Sequence, residues 1–193
     1  MPIPPARVAW YVTGRFYEDE QSRIQDLGYF LYLNGVSGSL FNGSTLGESS
    51  ARLTFRSEPF TAKPVTNGNI SIGLDAVGDF SVYLNLAGGA SFDRPGSFSQ
   101  GQRVAVFRRN SVVMGETLSS PILGGLAIGM NVFSADLVES TPFELPDGKG
   151  RYDFRDHLPN GVTQWGIASE NPLATFGPYQ RIVAFTGSAI AAG

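Results

Sequence analysis

The side chains that could transfer protons are few in this chain, and only one of them is a histidine. His157 ends the run Tyr-Asp-Phe-Arg-Asp-His, where nearby carboxylates could hold the imidazole in one tautomer for acid–base work. A solvated loop histidine is the simpler interpretation, because surface loops commonly carry such residues. With one His and no Cys, a metal site built from several of these residues is excluded. This leaves only carboxylate-assisted metal binding, for which the sequence shows no tight ligand spacing. We therefore predict no metal and no cofactor.

Carboxylates are the other candidates for acid–base catalysis. Asp136, Glu139 and Glu144 fall in or beside the strands predicted after Asn131. A carboxyl group buried in an apolar cavity has a raised pKa, so it can act as an acid or a base near neutrality. The alternative is that the three residues mark the solvated face and the strand ends, as charged residues usually do. The Gly-x-Ser-x-Gly nucleophile motif is absent, which disfavours serine hydrolase chemistry.

Aromatic residues on the predicted strands could line a cavity for an apolar or amphiphilic small molecule. The candidates are Trp10, Tyr29, Tyr32, Tyr83 and Phe107, with Trp165 in a later loop. Ordinary core packing is the alternative for each of them. Arg108 and Arg109 cannot both face inward, because successive residues of a strand point to opposite faces. We take Arg108 as the candidate that could bind a carboxylate or oxyanion, against the alternative of a solvated hairpin pair.

Composition indicates a single all-β domain covering residues 1–193. Charged residues make up only 16% of the chain, while Gly occurs 24 times and Phe 14 times. Short strands joined by many turns account for this pattern better than helices, whose exposed faces need more Lys and Glu. The length is within the range of one all-β domain.

Strand signals begin near the amino terminus, where Val8, Trp10 and Val12 share one face of a period-two pattern. A polar stretch, 18–26, then connects to the next strand. Asn67-Gly68 predicts a hairpin turn, and Pro64 in its first arm predicts an edge strand.

Farther along, we predict separate strands at 103–108, 112–114, 126–133 and 137–145. Residues 153–180 are expected to be mostly loop, with a short strand or helical turn near 162–167. In all we predict roughly nine to eleven strands of ordinary length. Closure into an antiparallel β-barrel would remove the unpaired edges of so many strands. A two-sheet β-sandwich is the alternative.

Charge and hydropathy limit the partners. The net charge is −3 and no basic stripe is present, so nucleic acid is not an expected partner. No apolar run is long enough to span a bilayer, and the amino terminus lacks a secretory signal pattern, so we expect a cytoplasmic protein without a membrane span. Association into a homo-oligomer is left open.

Three functions fit these observations. The first is a barrel holding an apolar or amphiphilic ligand. The second is a cofactor-free isomerase, cyclase or lyase acting inside the barrel, and the third is a structural or protein-interaction module. An isolated charge beside Tyr hydroxyls inside the barrel would favour catalysis. A filled core with an apolar outer patch would favour the interaction module. No motif assigns a family.

Overall fold

The computed structural model describes residues 1–193 except 62, 68, 69, 75–77, 118–127, 170 and 171. The described chain forms ten strands, one short 3-10 helix and one four-residue α-helix. The strands are β1 (Val8–Asp19), β2 (Ile24–Leu33), β3 (Leu53–Ser57), β4 (Lys63–Asn67), β5 (Ile70–Leu74), β6 (Gly78–Leu84), β7 (Gln102–Thr117), β8 (Ile128–Ser140), β9 (Val162–Ser169) and β10 (Tyr179–Ala191).

Eight of these strands close into an antiparallel barrel. Their hydrogen-bonded order is β7-β6-β3-β2-β1-β10-β9-β8, and β8 pairs back to β7 to complete the ring. The hairpin β4–β5 lies outside the ring, where β5 pairs with the last residues of β7. The predicted all-β fold and barrel are confirmed. The continuous ring of pairings rules out the two-sheet sandwich.

Two pairs of predicted strands are in fact single long strands. The segments 103–108 and 112–114 both belong to β7, and residues 128–133 run on into the next predicted strand as β8, which ends at Ser140. Residues 126 and 127 of that prediction lie outside the described residues. Irregularities in the β7–β8 pairing at Val106/Phe107 and Arg109/Ser111 allow the strands to continue past the polar residues between them. Near 162–167 the chain forms strand β9.

The first two hairpins differ in how well the sequence predicts them. The polar stretch 18–26 is not one long connection, because β1 continues to Asp19 and β2 begins at Ile24. The pairing of Asn67 with Ile70 confirms the predicted β4–β5 hairpin, and β4 lies at the end of the strand order, as Pro64 predicted. The turn residues Gly68 and Asn69 lie outside the described residues.

Two glycines make room for aromatic rings in the middle of the barrel. Gly14 on β1 and Gly28 on β2 are directly paired. A Cβ atom on Gly14 would collide with the backbone carbonyl oxygen of Leu27 and lie 2.8 Å from Cζ of Phe185. One on Gly28 would collide with the carbonyl oxygen of Thr13 and lie 2.8 Å from Cζ of Phe55. These two rings, with centroids 6.3 Å apart, therefore fill the space that larger residues on β1 and β2 would occupy.

A second apolar cluster lies on the outside of the barrel. The chain after β6, with the 3-10 helix Pro95–Ser99, packs over outward-facing Tyr17, Leu27 and Ile182. The Tyr17 hydroxyl donates a 2.8 Å hydrogen bond to the carbonyl of Phe92. This part of the outer wall is therefore covered by the chain itself.

One end of the barrel is closed by helix α1 (Phe154–His157). The Asp153 side chain caps this helix by accepting a 2.9 Å hydrogen bond from the backbone N–H of Arg155. Phe154 is completely buried and packs edge-on against Phe107, with ring centroids 5.7 Å apart. Within the described ranges, no helix has the length and apolarity needed to cross a membrane.

Candidate functional site

A buried ion pair lies inside the barrel. Asp26 on β2 and Arg109 on β7 are separated by 83 residues in the chain. One nitrogen of Arg109, Nη2, lies 2.8 Å from Oδ1 and 2.7 Å from Oδ2 of Asp26. The two side chains are only 3% and 5% exposed, so water hardly screens the pair.

The strand pattern explains why these residues face inward. Asp26 precedes Gly28 and Phe30 by two and four residues, which places it on the same face of β2. Arg109 follows inward-facing Phe107 by two residues on β7. The Ser57 hydroxyl also accepts a 3.0 Å hydrogen bond from the backbone N–H of Asp26, which fixes the end of β2 against β3.

Two side-chain amides and an indole extend the polar group. The Nε1–H of Trp10 donates a 2.8 Å hydrogen bond to Oε1 of Gln164 on β9. Asn131 on β8 is also buried, and its Oδ1 has no hydrogen-bond partner among the described residues. We call Asp26, Arg109, Asn131 and Gln164 the interior polar cluster.

Three phenylalanine rings surround the guanidinium of Arg109. Its Cζ atom lies 4.7 Å from the ring centroid of Phe133, 5.2 Å from that of Phe80 and 5.3 Å from that of Phe60. Such contacts are attractive because the negative face of each ring meets the cation. They also exclude water, so polar atoms here need partners within the protein or from a small molecule.

Two small cavities adjoin the interior polar cluster, each with a volume of about 10 Å³. Both are lined by Asp26, Arg109, Phe133 and Gln164, and one of them also by Asn131. This volume is about that needed for one water molecule. A larger molecule would enter only if a ring such as Phe133 changed its rotamer.

A larger cavity of about 250 Å³ lies at the surface near the β1–β2 turn. Its polar side chains are largely committed to the protein: Asp19 binds Arg23 at 2.8 Å, and Gln25 donates to the carbonyl of Ser57 at 2.7 Å. The Tyr17 hydroxyl is bound to Phe92, and burial raises its pKa to about 12. The geometry here provides little that would orient a ligand.

Of the predicted ligand-binding residues, Trp10 and Phe107 lie in the barrel interior. Arg108 lies on the outer face, where its Nε is 3.0 Å from Oδ1 of Asp79, so Arg109 is the inward-facing arginine. Tyr32 and Trp165 are also exposed on the outer face.

The other two predicted aromatic residues are half-buried. Tyr29 packs against Phe41 and Phe92, and burial raises the pKa of its hydroxyl. Tyr83 alternates along β6 with the buried residues Val82 and Leu84, so it faces away from them.

The predicted catalytic residues are not brought together. Asp136 and Glu144 are exposed, and exposed Glu139 forms an ion pair of 2.9 Å with Arg103. His157 lies on α1, where Nδ1 is 2.9 Å from the carbonyl oxygen of Asp153. Its ring stacks on Tyr152 with centroids 4.2 Å apart. Among the described residues, no group of three or more His, Cys, Asp or Glu side chains could hold a metal ion.

Asp26, Asn131 and Gln164 are not among the predicted site residues. Asp26 falls at the end of the predicted connection 18–26, although its period-two spacing from Gly28 and Phe30 is a usable signal. On β7 the alternation gives no such signal, because the four residues from Val104 to Phe107 are all buried.

The outer side of the same wall carries an apolar patch. Met130 pairs with Ile167, and Val132 pairs with Trp165, across strands β8 and β9. All four side chains are more than two-fifths exposed, at 60%, 56%, 45% and 43% respectively. We call these four residues the β8–β9 outer face.

Fold and site together define a closed antiparallel β-barrel with a charged pair in its aromatic interior. Comparison of the chain with protein-family models, with curated proteins and with solved structures found no match.

Proposed function

We propose that the barrel binds a small apolar or amphiphilic molecule in its interior, with the polar end of the ligand at the interior polar cluster. Because the two cavities there have a volume of only about 10 Å³ each, binding requires Phe133 to change its rotamer and admit the ligand. The observation that carries this proposal is the set of buried polar atoms without partners. Nε and Nη1 of Arg109 and Oδ1 of Asn131 have no hydrogen-bond partner among the described residues. An unpaired buried polar group costs about 1–3 kcal/mol, so a molecule that satisfies these atoms gains affinity.

Binding is favoured over catalysis by the surroundings of Asp26. Its carboxylate is paired with Arg109 rather than isolated. Among the residues lining the two interior cavities there is no tyrosine that could share a proton.

The two tryptophans of the chain provide a direct test, because Trp10 lines an interior cavity and Trp165 lies outside. In Trp165→Phe, Trp10 is the only tryptophan. We expect benzyl alcohol to change its emission and to raise Tm, because a ligand bound only to the native state stabilises it. In Trp10→Phe, emission from Trp165 should not change. If neither Tm nor Trp10 emission responds to benzyl alcohol, toluene or cyclohexanol, interior binding is contradicted.

A second function is supported by a different observation, the β8–β9 outer face. We propose that two copies of the chain associate through it. In the described parts of the neighbouring strands, the outward positions beside this face are the uncharged residues Ser134, Thr163, Ser169, Thr186 and Ser188. An uncharged apolar surface is compatible with a second copy of itself and offers nothing to attract a highly charged partner.

Sedimentation velocity tests this association. Trp165→Ser should move the protein toward the monomer at concentrations where the native chain self-associates. Leu86→Ser is the matched control, since Leu86 is 46% exposed and is not part of the β8–β9 outer face. A native chain that stays monomeric at high concentration, or an equal effect of both substitutions, would contradict the proposal.

A further inference from the structure

The hydrogen bonding of Arg109 leaves a defined set of donors. Only Nη2 contacts Asp26, and it reaches both carboxylate oxygens. Nε carries one N–H and Nη1 carries two, and neither atom has a hydrogen-bond partner among the described residues. Three donors of a buried guanidinium are therefore available to a ligand.

The same cavity also presents an acceptor. Asn131 and Arg109 line it together, and Oδ1 of Asn131 is buried without a partner in the described chain. Gly166, which pairs with Asn131 across β8 and β9, leaves room for this amide, since a Cβ atom there would lie 3.0 Å from Oδ1. The cavity therefore offers both donors and an acceptor to one small group.

The charge of the site is already balanced. Asp26 neutralises Arg109, and the pair is shielded from water by Phe60, Phe80 and Phe133. A carboxylate ligand would add a second negative charge beside one positive charge, and an ammonium ligand would add a second positive charge. Charge repulsion is strong where water is excluded, so both ions are disfavoured.

We propose that the interior polar cluster binds a neutral hydroxyl group, as the polar end of an otherwise apolar ligand whose apolar part occupies the space that Phe133 leaves when it changes its rotamer. The hydroxyl oxygen accepts from Nε or Nη1 of Arg109, and its hydrogen is donated to Oδ1 of Asn131. This assignment rests on the proposed interior binding and adds the chemical class of the group that is recognised.

Four probes with the same ring distinguish a neutral polar group from an apolar, an anionic and a cationic one: benzyl alcohol, toluene, benzoate and benzylammonium. The effect of each probe on Tm of the native protein is measured at pH 7.5. We expect benzyl alcohol to bind at least about five-fold more tightly than toluene, which is the effect of one net hydrogen bond. The two ions should give no shift. A shift with benzoate or benzylammonium as large as that with benzyl alcohol would overturn the assignment of a neutral group. No shift with any probe would contradict the interior binding itself.

The variant Asn131→Leu tests the acceptor directly. It removes Oδ1 and keeps a side chain of similar size, so the preference for benzyl alcohol over toluene should fall by about five-fold, the effect of one net hydrogen bond, while toluene still binds. Asn110→Leu is the control, because Asn110 is exposed and should leave the preference unchanged. An unchanged preference in Asn131→Leu would overturn the role of Asn131. The probe series on the native chain remains decisive if this variant does not fold.

Discussion

At its centre, the β8–β9 ribbon has buried amides on its inner face, beside apolar core residues such as Phe133 and Ala168, and exposed apolar side chains on its outer face. Asn131 and Gln164 face the barrel interior, whereas Met130, Trp165 and Ile167 face outward and are substantially exposed. Folding alone favours the opposite arrangement, because burying amides costs free energy and exposing apolar groups gains none. Buried amides and exposed apolar side chains at these positions are what we expect if both proposed contacts form.

The largest effect is expected from breaking the interior ion pair. Asp26→Ala leaves the guanidinium of Arg109 buried without a counter-charge. Removing one partner of a buried pair typically costs about 3–5 kcal/mol, so the free energy of unfolding should fall by that amount in urea titrations. A loss below about 1 kcal/mol would show that water reaches the interior polar cluster. The inner face of the barrel wall would then be solvated like the outer face.

A smaller effect is expected at the amide that pairs with the indole. Gln164→Leu removes the acceptor of the Trp10 Nε1–H and leaves this donor buried. The expected loss in the free energy of unfolding is about 1–3 kcal/mol. Trp10→Phe combined with Gln164→Leu removes both partners, and it should cost less than the sum of the two single substitutions. Additive losses would mean that the hydrogen bond contributes nothing.

The pH dependence of stability tests the burial of Tyr17, which lies on the part of the outer wall that the chain itself covers. Burial raises its pKa to about 12, compared with about 10 in an unfolded chain. The neutral hydroxyl is favoured in the folded state, so this contribution to stability is complete below pH 10 and is lost as the pH rises from about 10 to about 12. Tyr17→Phe should therefore show a weaker decline of stability across this range. If stability declined equally in Tyr17→Phe and in the native chain, a group other than Tyr17 would be responsible for the decline.

The smallest effect is expected on the uncovered outer face. Trp165→Ser should lower the free energy of unfolding of the monomer by about 1 kcal/mol, because the half-exposed indole loses its cross-strand contact with Val132 and Ser has a lower strand propensity. Chemical unfolding at low protein concentration measures this change. A loss of several kcal/mol would show that Trp165 belongs to the core, and the apolar face would then need no partner.

Local patterns in the sequence predicted the fold much better than the site. The alternation of Trp10 and Val12, the hairpin at Asn67 and the edge position of Pro64 each depend on neighbouring residues, and the structure agrees with them. The ion pair joins Asp26 to a residue 83 positions away, and closure of the ring is what brings them together. No local pattern contains that information.

The sequence could not assign the aromatic candidates to the inner or the outer face of the barrel, for a different reason. An aromatic side chain favours a strand on either face, so its type alone does not say whether it points into the barrel. Trp10 and Trp165 have the same chemistry and lie on opposite sides of the wall. Arg108 and Arg109 show the same limit, since the buried run before them removes the alternation that would have distinguished them.

Strand β7 is shared between the barrel and the β4–β5 hairpin. Along one edge it pairs first with β6 and then with β5, while its other edge pairs with β8. The β4–β5 hairpin is joined to the barrel through four paired residues of β5, Ile70–Gly73, and the ring does not depend on them. The hairpin can therefore open and exchange its amide hydrogens while the eight-stranded ring, and the charged pair inside it, stay intact.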